Sequence, residues 1–172
     1  MFKIEEIDPV HYRKQTRKST LIIMGIFIVI GFTTARYTVV YFGEYSDSHI
    51  VLNFLGAFVG LLITFGIVNT FFKDANWMKE AMYAWRLKRH IMSIYNAMKP
   101  LQEAADQGDI EAIKILRFYH LGTEQMYQLD NNSHGLMELK SQMQALEAKM
   151  KEMDIEANQT EFNMESVAAY RN

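Results

Sequence analysis

Two long apolar runs joined by a short polar loop limit what this chain can become. The first runs from Leu21 to Tyr41 and the second from Ile50 to Phe72. A bilayer core takes about 20 mostly apolar residues in a helix, and both runs reach that length. Lipid offers no partner to an open backbone, so each run is expected to be helical. The first run continues past Gly31 with no small-x-small cleavage pattern, unlike a signal peptide. A soluble, buried hairpin is the alternative, and the unbroken second run argues against it. The expected core of the molecule is therefore a transmembrane hairpin.

Charge gives it a direction. The loop, residues 43–49, has no Lys or Arg, whereas Arg13, Lys14, Arg17 and Lys18 precede the first run and Lys73, Lys79, Arg86, Lys88 and Arg89 follow the second. The positive-inside rule then expects both termini in the cytoplasm, with Tyr37, Tyr41 and Tyr45 as an aromatic belt at the outer face.

Within the spans, Asn53, Gly56, Gly60 and Thr64 recur at helical spacing and predict a packing face. Small residues let helix backbones approach, and Asn or Thr can bond across. Gly31, Thr34 or Ala35, and Thr38 offer a matching face on the first run. Packing within one hairpin is the plainest use of these faces; packing between subunits, or a path built by several chains, would use them too. Arg36 is the one charge inside a run. It lies past the midpoint toward the loop, where its side chain can snorkel outward or pair with Glu44 or Asp47. The sharper reading is a functional intramembrane charge.

The hairpin leaves residues 73–172, enough for a small helical domain and too few for a large enzyme fold. There are no cysteines, which removes disulfides, thiolate nucleophiles and Cys-based metal sites. Two prolines and nine glycines favour long helices. Residues 73–99 carry six basic and two acidic side chains, and residues 100–172 carry six basic and thirteen acidic. Basic charge beside the spans suits anionic headgroups. The acidic distal part would repel phosphate, so nucleic acid is not an expected partner.

Four regions follow. Residues 1–20 are a basic lead in which Asp8-Pro9 can start a helix. Residues 21–72 are the hairpin. Residues 73–132 predict an αα-hairpin. Its first helix, capped by Asp74 or Asn76, has an apolar stripe of Ala84, Leu87, Ile91, Ile94 and Met98 and ends or kinks at Pro100. Lys79, Arg86 and Arg89 fall off that stripe, as lipid-headgroup contacts or as a solvated face. Gly108 and Asp109 mark a C-cap and an N-cap, and the second helix is expected to bury Ala112, Ile115, Tyr119, Gly122, Met126 and Leu129, a face widened by Ile113 and Leu116. Residues 105–122 are similar to one tetratricopeptide-type unit, without the second copy that a solenoid needs.

Residues 133–172 predict a heptad helix and a frayed tail. Leu136, Leu139, Met143, Leu146, Met150 and Met153 keep a/d spacing. Lys149 and Asp154 would attract across a parallel pair, and Glu147 with Lys151 would pair along one helix. This seam either zips two subunits or folds back on the preceding helices.

The fold class expected is thus an all-α membrane protein, a two-helix hairpin followed by a small cytoplasmic helical domain. No motif names a reaction. Five histidines lack metal-site spacing, and helix capping explains Asp106, Asp109 and Glu111. No catalytic, cofactor or metal site is expected.

Four stretches do carry a likeness to a known family: Ile7-Asp8 with Tyr12-Arg13; Leu52-Asn-Phe-Leu-Gly56; Tyr83-Ala-Trp-Arg-Leu-Lys88 with Ile94-Tyr95; and Ile115 to Gly122 with Gln125, Tyr127, Leu129 and Asp130. Over roughly residues 5–135 the chain resembles an uncharacterised bacterial inner-membrane family, a domain of unknown function. The heptad segment lies outside the likeness. The resemblance implies two spans in the bacterial inner membrane and no assigned activity. The expected function is a membrane-anchored interaction or scaffold protein, not an enzyme, whose partners are membrane lipids and a second copy or another membrane protein. The alternative is a small subunit of an oligomeric transporter or channel using Arg36, Asn53, Thr64 and Asn69. A third possibility is an enzyme with a site built across subunits.

Overall fold

The computed structural model describes residues 1–46 and 48–171. Asp47, one expected partner for Arg36, lies outside them. The chain divides into two compact units, one of residues 14–82 and one of residues 1–13 with 83–172.

The first unit is the hairpin. Helix α1 spans Pro9–Phe42, and α2 spans His49–Ile67, followed by a π-helical turn, Val68–Phe72. Both are long and apolar enough to cross a membrane. Asp8 opens α1 as expected: its carboxylate accepts from the N–H groups of Val10 and His11 at 3.3 and 2.9 Å. Those two bonds hold its pKa below the ordinary value. Further along the N-terminal part of α1, Ser19, buried, donates to the carbonyl of Trp77, which joins α1 to the 3-10 turn Asn76–Met78 after α2. Neither Asp74 nor Asn76 caps that turn; Ala75 precedes it without a side-chain bond.

The second unit is helical, with a small two-stranded clasp. Helix α3 spans Lys79–Tyr95, α4 Met98–Asp106, α5 Ile110–Leu129 and α6 Ser133–Glu152. The helix expected to reach Met98 stops at Tyr95. Pro100 sits in the first turn of α4, where a missing N–H leaves no bond unmade. Gly108 has φ +91° and lets the chain reverse, and Asp109 caps α5 by accepting from Glu111 and Ala112.

Helix α5 lies at the centre. The expected apolar face, Ile113 and Leu116 included, is buried except for half-buried Tyr119, and Arg117, Phe118, His120 and Thr123 are buried as well. A second helix of a lone αα-hairpin would keep one face wet. Here α4 and α6 both pack on α5, and the C-terminal tail joins them.

That tail is not frayed. Strand β1, Phe2–Lys3, pairs antiparallel with β2, Glu161–Phe162. Phe162 stacks on Phe118 with centroids 4.8 Å apart, and Phe2 stacks on His90 at 4.6 Å. A 3-10 helix, Met164–Tyr170, buries Val167 completely. Arg171 then donates to the Ser93 carbonyl and hydroxyl at 3.2 and 2.5 Å, and Tyr170 donates to Asp109 at 2.8 Å. Two-residue strands have no periodicity to read, so these contacts gave no signal in the sequence.

Candidate functional site

In the hairpin, small residues decide how closely the helices approach. A Cβ added at Gly56 would stand 2.5 Å from Ala35 Cα, and one at Gly60 would stand 2.7 Å from Gly31 Cα. The buried face of α2 is Leu52, Gly56, Gly60 and Thr64, meeting Gly31, Thr34, Ala35 and Thr38 of α1. Asn53 does not share it; it is exposed. One residue is a 100° step on a helix, enough to move it off the seam. Nor do the hydroxyls bond across. Thr34, Thr38 and Thr64 donate to carbonyls of their own helices at 2.8–2.9 Å. That satisfies each hydroxyl in an apolar setting with no partner needed.

Beside this seam the larger side chains diverge and leave a furrow of about 830 Å³. Arg36, Asn53 and His49 line it together with apolar residues such as Phe27, Ile28 and Val39. Among the described residues Arg36 has no ion-pair partner, and Glu44 does not meet it.

Lys79, Arg86 and Arg89 are exposed on α3, while Ala84, Leu87, Ile91 and Ile94 are buried. The Arg89 guanidinium lies over the Trp85 ring, 5.6 Å from its centroid. Trp85, Met92 and Tyr95 are also exposed, so this side of α3 mixes aromatic and basic groups.

The heptad stripe turns inward. Leu139, Met143 and Met150 are buried, Leu146 and Met153 pack on the core around α5, and Leu136 is half-buried. Within this chain the stripe folds back on the preceding helices, one of the two uses its spacing allowed. The charges follow. Glu147 pairs with buried Arg117 at 2.5 Å rather than with Lys151. Lys149 donates to the Ala105 carbonyl at 2.6 Å and pairs with Asp106 at 3.6 Å, so it closes the C-terminal end of α4 rather than meeting Asp154 of another chain.

One polar cluster was not foreseen. Arg117 also donates from Nε to the Ala157 carbonyl at 2.8 Å, which ties the start of the tail to α5. His120, next on that face, lines a cavity of about 360 Å³ with Gln102, Gln142 and Lys149. Burial and the nearby Arg117 charge push the His120 pKa down to about 4, so the ring is neutral at pH 7. The cluster's charges are taken up by helix ends and an internal ion pair, which reads as architecture. No group of three or more metal-ligating side chains occurs among the described residues.

The residues carrying the family likeness also meet in this unit. Tyr83 donates to Gln125 Oε1 at 2.6 Å, Gln125 Nε2 donates to the Glu5 carbonyl at 2.5 Å, and the Glu5 N–H donates back to Tyr83 at 3.0 Å. Arg13 donates to the Leu129 carbonyl at 3.2 Å, at the end of α5. Tyr12, Tyr83 and Leu129 share one buried cluster. The profile of the family described as "Protein of unknown function (DUF3087)" matches residues 2–167. The chain belongs to the DUF3087 family. The match to DUF3087 takes in α6 and most of the tail, so the likeness is not confined to residues 5–135. No curated protein and no solved structure gives a significant match.

Proposed function

We propose that this DUF3087 protein is a membrane-anchored interaction protein of the bacterial inner membrane. One observation carries the reading: the hairpin leaves its large apolar side chains bare. Phe32, Phe54, Phe65 and Phe71 are each 70–77 % exposed. Monomeric soluble proteins rarely expose contiguous apolar surface beyond a few hundred Å². A bilayer solvates such a surface, and the basic residues flanking the spans favour both termini in the cytoplasm. The second unit has its own buried core and offers the aromatic and basic side of α3 as a contact surface for anionic headgroups or a protein partner. With the heptad stripe buried, association through a second copy or another membrane protein falls to the hairpin and to α3.

The test uses the full-length protein in bacterial membranes. Retention after alkaline carbonate washing, and a mild-detergent particle containing either a stoichiometric second chain or several copies, are the expected results. Extraction by carbonate would contradict the anchor, and a bare monomer with catalytic turnover would contradict the interaction role.

A further inference from the structure

The furrow in the hairpin has the chemistry of a lipid site. It follows from the glycine seam. Gly56 against Ala35 and Gly60 against Gly31 fix one antiparallel register. In that register Asn53 and His49 of α2 fall level with the stretch of α1 from about Thr38 to the loop, next to Arg36. Phe27, Ile28 and Phe32 line the part further from the loop. The furrow is therefore polar and cationic at its loop end and apolar along its depth. Arg36 is exposed and has no ion-pair partner among the described residues. A lone guanidinium in a span is costly unless it meets an anion or reaches water.

We propose that this furrow binds one anionic glycerophospholipid of the outer leaflet. The guanidinium of Arg36 donates to the headgroup phosphodiester, and His49 and Asn53 supply further polar contacts. One acyl chain lies along Phe32, Ile28 and Phe27. Guanidinium and phosphate match in charge and in paired-donor geometry. The occupant is amphiphilic because the furrow is, and anionic because the charge lining it, unpaired among the described residues, is cationic. A second copy of the hairpin fits less well, since it would bring another Arg36 to the same face. The inference rests on membrane insertion of the hairpin.

The experiment takes the full-length protein in nanodiscs of phosphatidylcholine containing a minority of phosphatidylglycerol. Native mass spectrometry then counts the lipids retained on release. One phosphatidylglycerol is expected to stay with the wild-type protein. Arg36→Gln should lower its retention about tenfold, the loss expected for a charge-assisted bond. Arg36→Lys should keep part of it. Ala57→Leu, which fills the furrow and leaves Arg36 in place, should also expel the lipid. Equal retention of both lipids, or an Arg36→Gln protein that keeps phosphatidylglycerol, would overturn the proposal. Carbonate extraction of the wild-type protein is read separately: it would sink the anchor and the lipid site together, whereas a carbonate-resistant protein without lipid preference would sink the lipid site alone.

Discussion

Gly56→Ala tests the hairpin most sharply. The new methyl would stand 2.5 Å from Ala35 Cα and 2.8 Å from the Thr34 carbonyl oxygen, and ordinary contact begins near 3.4 Å. Both neighbours are backbone, so neither can rotate away. The helices must separate by about 0.9 Å along that contact. A gap of that size forfeits roughly a quarter to a half of each contact's attraction along the seam. Overpacking of this kind costs about 1–3 kcal/mol. In water the gain in helix propensity, about 1 kcal/mol, would offset part of it. In a bilayer the separated helices are already helical, so that gain cancels. Gly25 and Gly66 provide the control, since a Cβ at either meets nothing within 4 Å. The assay places a fluorescence donor and acceptor on Thr20→Cys and Lys73→Cys in the cysteine-free chain and titrates mixed micelles with a denaturing detergent. Gly56→Ala and Gly60→Ala should lose energy transfer at lower detergent fractions, while Gly25→Ala and Gly66→Ala should match the wild type. Equal behaviour of all four variants would refute the packing argument.

The helical unit gives three further expectations. His120 titrates near its ordinary value of 6.5 when unfolded and only at about 4 when folded. The unfolded state therefore binds more protons between those values, and stability falls as pH drops through that window, on the order of 3 kcal/mol in all. His120→Gln should remove most of that slope in urea titrations run at pH 7, 5.5 and 4. Tyr83→Phe leaves Gln125 Oε1 and the Glu5 N–H without their partner, a loss of about 1–3 kcal/mol. Faster hydrogen exchange in residues 2–6 would show it, and unchanged exchange would refute it. Phe162→Ala should cost about 3–5 kcal/mol, as for a large core side chain. A frayed tail would instead make that substitution neutral in thermal melts.

Much of the hairpin was legible in the sequence because its signals are local. Run length and the Gly56-x-x-x-Gly60 spacing each report a property of one helix, and the matching face on α1 follows from the same spacing. Asn53 misled because a three-residue step and a four-residue step both look like one face, and only the packed seam tells Leu52 from Asn53. The caps at Asp8 and Asp109 were legible for the same local reason. The fate of the heptad stripe was not: a/d spacing states that a helix buries one side and is silent on what covers it. Arg117 settles it through Glu147 and Ala157, contacts that span 30 and 40 residues. The clasp between Phe2 and Phe162 joins the two ends of the chain, beyond the reach of any window. The furrow was half legible. Arg36 stood out as a lone charge, but its company with Asn53 and His49 needed the register of the hairpin.

The proposed arrangement, an inserted hairpin with both termini cytoplasmic, can be tested by sidedness. Because the chain has no cysteine, single substitutions can report sidedness without background. Ser46→Cys in the loop, at a half-buried position, and Glu156→Cys in the exposed part of the tail would each be treated with a membrane-impermeant maleimide, before and after lysis of spheroplasts. Ser46→Cys should be labelled in intact spheroplasts and Glu156→Cys only after lysis. Labelling of Glu156→Cys in intact spheroplasts, or protection of Ser46→Cys until lysis, would contradict it.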